Sequence, residues 1–270
     1  MLQLPQMRAF LHFVLDPAMG CMEMRVFHAT FDRGLVRTAQ QYSKTLAGWY
    51  DDPHSLVVDA GRLRDVSAFV TLNPVRDDLL ARSNNELTKA KHTTSDDDVV
   101  CLRWLYVDID PVRPADISST EDELKRAVER REKILDDGIG FGGATLWGCS
   151  GNGAWILARM PDMDNTDANR KSVGKILADL SARYSDDRVK IDTTTKNPSR
   201  VMCLPGTLKC KGSNVPSRPH RQVTFVGHRG GGDAGGGGSV PKFGRPPVSA
   251  PHHAPNHVPK LNIVRAVDVA

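Results

Sequence analysis

The chain has 270 residues, 40% of them hydrophobic and 25% charged, with a formal net charge of +4. That length suits one large domain or two small ones, each with a core of its own. No apolar run approaches a membrane span, and the start Met1-Leu2-Gln3-Leu4-Pro5 lacks a basic region followed by a long apolar core, so cytoplasmic residence is expected.

In chain order, residues 35–49 show helical spacing through Val36, Ala39, Tyr42, Leu46 and Trp49. Residues 67–72 read as a strand closed by Asn73-Pro74, and residues 77–90 suit a helix. Residues 101–109 form an apolar strand. Thr120 and Glu123 make a capping box, followed by Leu124, Ala127, Val128, Arg131 and Leu135 on one helical face, with Arg131 contributing its aliphatic stem. Asp137-Gly138 stops that helix. Residues 141–147 enter a second strand and residues 154–158 form a third, joined by a glycine-rich turn. Residues 170–183 fit a helix with Val173, Ile176, Leu177 and Leu180 on one side. Residues 189–192, 200–204 and 222–226 read as short strands. The mixture predicts an α+β or mixed-sheet fold rather than a regular βαβ series.

After Gly227 the composition changes. Residues 230–239 are glycine-rich, and a proline- and histidine-rich segment follows. The expected division is a folded unit over residues 1–227 and a flexible tail or linker over residues 228–270. His252, His253 and His257 form either a metal-binding tract or part of that tail. Cys21, Cys101, Cys149, Cys203 and Cys210 are scattered and odd in number, which argues against a disulfide framework or a cysteine-rich zinc site.

Four clusters carry the chemistry. The first is Asp108 with Asp110, at the end of the apolar strand. Period two puts both carboxylates on one face, roughly 7 Å apart at their bases. They suit Mg²⁺ or Mn²⁺, or else a turn before Pro111. The second is Asp192, which ends another short apolar strand and is either a third metal ligand or a surface residue. The third is the turn Ser150-Gly151-Asn152-Gly153, either a phosphate cradle in which Ser150 and Asn152 donate or an ordinary hairpin connection. The fourth is a basic run of Lys196, Arg200, Lys209, Lys211, Arg218 and Arg221, with no acidic residue among residues 196–221. It suits triphosphate or nucleic-acid phosphates, or is a solvated face.

Taken in order, these motifs resemble the archaeo-eukaryotic primase superfamily, and in particular the primase-polymerase domains of phages and mobile elements. The resemblance lies in Tyr106-Val107-Asp108-Ile109-Asp110 followed by Pro111-Val112-Arg113, in Ser150-Gly151-Asn152-Gly153-Ala154-Trp155, in Asp192, in Asn197-Pro198-Ser199-Arg200, and in Leu204-Pro205-Gly206-Thr207. Phe69-Val70-Thr71-Leu72-Asn73-Pro74 and Thr93-Thr94-Ser95-Asp96 extend it, so that it spans about residues 20–227.

The resemblance implies an RNA-recognition-motif-like catalytic sheet with a smaller N-terminal α/β part. It implies that Asp108, Asp110 and Asp192 hold two Mg²⁺ or Mn²⁺ ions. A primer 3′-hydroxyl on a single-stranded DNA template would then attack the α-phosphorus of a dNTP or NTP and release pyrophosphate. Ser150, Asn152, Trp155, Arg200, Lys211 and His220 would bind nucleotide. Arg113, Lys196, Lys209, Arg218 and Arg221 would bind nucleic acid. A helicase in the same or a neighbouring chain would be a partner, in a bacterial host or phage-infected cell. One departure stands out: the family carries histidine where this chain has Trp155. An indole donates one hydrogen bond and no charge. Either Arg159 or one of the other basic residues compensates, or catalysis is weak or lost and the domain is a nucleic-acid-binding module of a replication initiator. A metal-dependent nuclease is a third reading, but no water-activating base stands out.

Overall fold

A computed structural model describes residues 2–39 and 44–230 of the chain. The first part runs α1 (Leu4–Val14), β1 (Met22–Val26), β2 (Ala29–Asp32), β3 (Leu35–Thr38), β4 (Leu46–Tyr50), α2 (Pro53–Ala60), β5 (Ala68–Thr71) and β6 (Thr88–Lys89). The middle runs β7 (Cys101–Pro111), α3 (Glu121–Asp136), β8 (Thr145–Cys149), β9 (Ala154–Asp164), α4 (Asp167–Tyr184) and β10 (Val189–Ile191). The last part holds β11 (Val201–Cys203), β12 (Leu208–Lys209), β13 (Arg221–Gln222) and β14 (Thr224–Arg229). The expected boundary at residue 227 falls inside β14. Residues 231–270, with His252, His253 and His257, lie outside the described residues, as does Tyr42.

The fold is mixed α and β, built on antiparallel sheets. One five-stranded sheet has the order β11-β5-β1-β4-β6 and the other β10-β7-β9-β8-β14. The second is threaded β7-α3-β8-β9-α4-β10, with α3 and α4 on the same face. Local chemistry sets the helix starts. Pro5 enters α1, where its missing N–H costs nothing, and Met7, Phe10, Leu11 and Val14 form one buried stripe. Asp52 caps α2 by accepting from the His54 and Ser55 N–H groups. The Thr120–Glu123 capping box of α3 forms as expected, with both bonds present.

The central strand β7 is buried on both faces. Leu105, Val107 and Ile109 pack against Ala127, Ile134 and Leu135 of α3 and Val173, Leu177 and Leu180 of α4. Trp104 and Tyr106 point the other way, into a core shared with α1, α2 and the first sheet. Asp108 is where that second face turns polar. The expected strand at residues 67–72 is present as β5, and the five cysteines are free.

Two expectations are corrected. Residues 35–49 are not a helix: β3 and β4 occupy the described part, and β4 pairs with β1 from Met22↔Tyr50 to Val26↔Leu46. Five residues of ladder, buried on both faces, outweigh an apolar spacing that fits a helix. Residues 77–90 form a short 3₁₀ turn over Asp77–Arg82 and then β6, not one helix. Arg131 goes further than its aliphatic stem: it is 4% exposed, and its guanidinium donates to the Gly148 carbonyl at 2.8 Å, tying α3 to β8. Replacing Thr120 by Ala removes one half of the capping box and should lower stability by about 1 kcal/mol in urea unfolding. An unchanged midpoint would mean that the cap does not hold α3.

Candidate active site at the end of β7

Asp108 and Asp110 leave β7 on the face of Trp104 and Tyr106, as the period of two requires. β10 pairs alongside through Lys190↔Asp110 and Ile191↔Ile109. The next residue, Asp192, donates its backbone N–H to the Asp108 carbonyl at 2.9 Å. Thr195 then fixes the following turn by donating to the Tyr106 carbonyl at 2.8 Å. The three aspartates therefore lie on adjacent backbone segments.

Their carboxylates do not form a closed set. Asp192 accepts from the Thr194 N–H at 2.8 Å and from Arg200 Nη2 at 2.8 Å. Asp110 accepts from Arg113 Nη1 at 3.3 Å. No hydrogen bond reaches the Asp108 carboxylate among the described residues. Among those residues, no group of three or more His, Cys, Asp or Glu side chains is arranged to hold a metal ion. Burial, and then the charge of Asp110, push the Asp108 carboxyl up from 3.8 to about 7, while Lys209 and Arg200 act in the opposite direction. Gly153 passes over the pair: a Cβ there would stand 2.4 Å from the Ile109 carbonyl and 2.8 Å from Asp110 Oδ1. Only glycine permits that approach.

The basic residues divide into two groups. Arg200 and Lys209 face the carboxylates. Arg113, Arg218 and Arg221, expected to contact nucleic acid, each bond groups of the fold itself. Arg218 grips Glu123 with two bonds at 2.8 and 2.9 Å and donates to the Ser118 carbonyl. Arg221 donates to the Ser119 carbonyl at 2.7 Å and reaches Glu121. Arg113, with a side chain 8% exposed, bonds Asp110 and the Ile117 carbonyl. Together they fix the loop before α3. Lys196 lies along Gly174 of α4. Ser118 Oγ donates to the Lys211 carbonyl, and His220 Nε2 lies 2.9 Å from the Gly212 carbonyl. No ion pair joins Lys196, Lys211 or His220 to the aspartates among the described residues.

The turn expected to cradle phosphate spends its side chains locally. Ser150 Oγ accepts from the Gly153 N–H at 2.9 Å. Asn152 is 1% exposed and accepts from the Ser119 N–H at 3.0 Å, while its Nδ2 has no partner.

The nucleotide role expected for Trp155 is also corrected. Trp155 stands directly opposite Asp108 across β7 and β9, yet it is 0% exposed. Phe10 of α1 meets its ring edge-on at 5.9 Å, Phe225 stacks on it at 6.4 Å, and its indole N–H has no partner. Packing of α1 on this face makes it a core residue. Arg159 does not compensate. It pairs in register with Trp104, at the far end of the strand, and binds Asp162 at 2.8 Å.

Phe69 escaped notice as a site residue. Lys209 Nζ lies 4.6 Å from its ring centroid. The signal was its position between Ala68 and Val70, whose burial turns Phe69 to the opposite face of β5.

Two measurements follow. The folded Asp108 value lies above the unfolded one, so the folded state holds its proton more tightly. Below about pH 4 both states are protonated and the group contributes nothing. As pH rises past about 7 the fold bears the full cost of ionising it. Asp108→Asn should therefore stabilise the chain by ~1 kcal/mol or more at alkaline pH, with the gain fading toward the unfolded value. A gain independent of pH would contradict this assignment. Trp155→His should cost about 3 kcal/mol in urea unfolding, because it empties a buried site and introduces a polar ring. Full stability in that variant would mean that Trp155 is not a core residue.

Among known proteins, no family model matches the chain. No curated protein matches it either. Among solved structures it is similar to the polymerase domain from Mycobacterium tuberculosis Ligase D in complex with DNA, at 13% identity and a TM-score of 0.38, covering 81% of this chain and 79% of that chain. A likeness that loose carries no argument about fold or function.

Proposed function

We propose that the chain is a metal-dependent primase-polymerase domain that transfers nucleotides from dNTPs or NTPs to a 3′-hydroxyl on a single-stranded DNA template. One observation carries the reading: Asp108 and Asp110 share a face at the end of β7, Asp192 is bonded to the Asp108 backbone, and Arg200 and Lys209 face them. The threading β7-α3-β8-β9-α4-β10, with sheet order β10-β7-β9-β8, supports the RNA-recognition-motif-like sheet implied by the family resemblance.

The donor set fits a hard divalent cation: oxygen ligands only, with a carboxylate on Asp108 that no donor satisfies. Asp108 and Asp110 would hold Mg²⁺ or Mn²⁺, and Asp192 would join them once Arg200 releases it. When bound, two such ions would supply positive charge at the triphosphate and make the 3′-hydroxyl a better nucleophile. Arg200 is already at the site, and its planar fork suits a phosphate as well as it suits Asp192. Lys209, whose charge acts on Asp108, would supply a mobile charge. The strand end buried around Tyr106 keeps the carboxylates in place and limits water on that side.

A second reading is favoured by Trp155. The family places a phosphate-binding imidazole there, and in this chain the position is filled by the core. A nucleic-acid-binding replication-initiator module with weak or lost catalysis would tolerate that.

Primer extension on a single-stranded template separates the two. The catalytic reading expects extension with Mg²⁺ or Mn²⁺, lowered about 100-fold or more in Asp108→Ala. Extension that D108A leaves intact would remove the proposed site. Template binding without extension under either metal would favour the second reading.

A further inference from the structure

The first sheet turns Met24, Val26, Ala68 and Val70 into the core. Alternation sends Arg25 and Phe69 to its other face, where they are direct partners across β1 and β5. Phe27, just beyond β1, meets Phe69 edge to face, with ring centroids 5.3 Å apart. Phe27 is 38% exposed and Phe69 is partly exposed. Adjoining rings held in water mark a contact surface rather than scattered exposure.

Cations attend both rings. The Arg25 guanidinium lies 5.9 Å from the Phe27 centroid, fixed in place by the fully buried Glu23 at 2.6 and 3.0 Å. Lys209 covers Phe69 and also acts on Asp108, so it joins this surface to the carboxylates. On the other side, the Lys44 carbonyl accepts from the Ala29 N–H, and Arg25 reaches the Thr94 carbonyl. Beside them, at the sheet edge, is a hollow of about 500 Å³ lined by Lys44, Thr45, Lys89, Lys91, His92 and Thr93, with no acidic residue in its lining. Lys89 pairs with Leu46, which pairs with Val26, so it leaves β6 on the core side of that edge rather than on the face of Arg25 and Phe69. The lysine ion pairs among the described residues are Lys125–Glu129 and Lys133–Asp137, both elsewhere on α3. The charges of Lys44, Lys89, Lys91 and Lys209 thus remain available to an anionic ligand.

We propose that this face and the sheet edge beside it form a track for single-stranded DNA, with bases stacking on Phe27 and Phe69 and phosphates passing from Lys209 to the lysines of the hollow at that edge. It rests on the reading of the β7 end as a nucleotidyl-transfer site, to which Lys209 ties it. Aromatic faces between unpaired lysines match a polymer that alternates exposed bases with phosphates. A duplex keeps its bases stacked inside and offers nothing to the rings. Lys209 holds the Phe69 face until a base replaces it, and then moves to a phosphate.

The test is fluorescence anisotropy of the full chain with a labelled oligothymidylate of about 20 nucleotides, in chelator, over a salt series. Phe27→Ala should weaken binding about 5- to 100-fold. Lys89→Gln with Lys91→Gln should lower the slope of log affinity against log salt by about 1.4, ~0.7 per lost phosphate contact. Thermal unfolding of each variant should match that of the parent chain. Binding unaffected by both changes, tighter binding of duplex, tighter binding of oligouridylate, or no binding by the parent chain would overturn the proposal. Asp108→Asn separates the two claims. If it loses extension while the track variants bind normally, the track is wrong and the catalytic reading stands. If it extends normally while Phe27→Ala loses binding, the track stands and the catalytic reading fails.

Discussion

Two like charges sit at the end of a strand that is buried on both faces, and most of the architecture follows from that. β7 cannot twist away to separate Asp108 from Asp110. Leu105, Val107 and Ile109 are locked against α3 and α4, and Trp104 and Tyr106 against the other core. β10 on one edge and β9 on the other take up its backbone groups. Burial of that strand end, and then the retained repulsion of Asp110, leave an Asp108 carboxyl that resists ionisation.

Around that pair, positive charge has two separate jobs. Arg113, Arg218 and Arg221 satisfy carbonyls and carboxylates in the loop and first turn of α3. Their bonds tie residues 117–123 to Asp110 and to the segment at residues 218–221, and the Ser119 N–H meets the turn at Asn152. Arg200 and Lys209 instead balance the aspartates. Partners distinguish the two groups: Arg113, Arg218 and Arg221 bond main-chain carbonyls as well as carboxylates, whereas Arg200 bonds side chains only.

Much of the site was legible because its signals are local. An Asp-x-Asp after an apolar run declares a shared face through strand period alone, and a Thr three residues before a Glu declares a helix start. What could not be read depends on distant partners. Arg218 looks like any exposed cation until Glu123, 95 residues away in sequence, is placed beside it. Val36, Leu46 and Trp49 fit a helical spacing, and pairing of β3 with β2 and of β4 with β1 decides for strand. Trp155 occupies a recognisable motif position, but α1 determines that Phe10 covers it.

The ion pair between Arg200 and Asp192 has a thermodynamic consequence. In the free chain it makes the site its own counterion, so a cation seeking Asp192 must compete with a tethered guanidinium at high local concentration. An anionic ligand that draws Arg200 away removes that competitor. If the site takes both, as proposed, cation and anion would assist each other with a shared coupling energy, equal in both directions by linkage, although they need not touch.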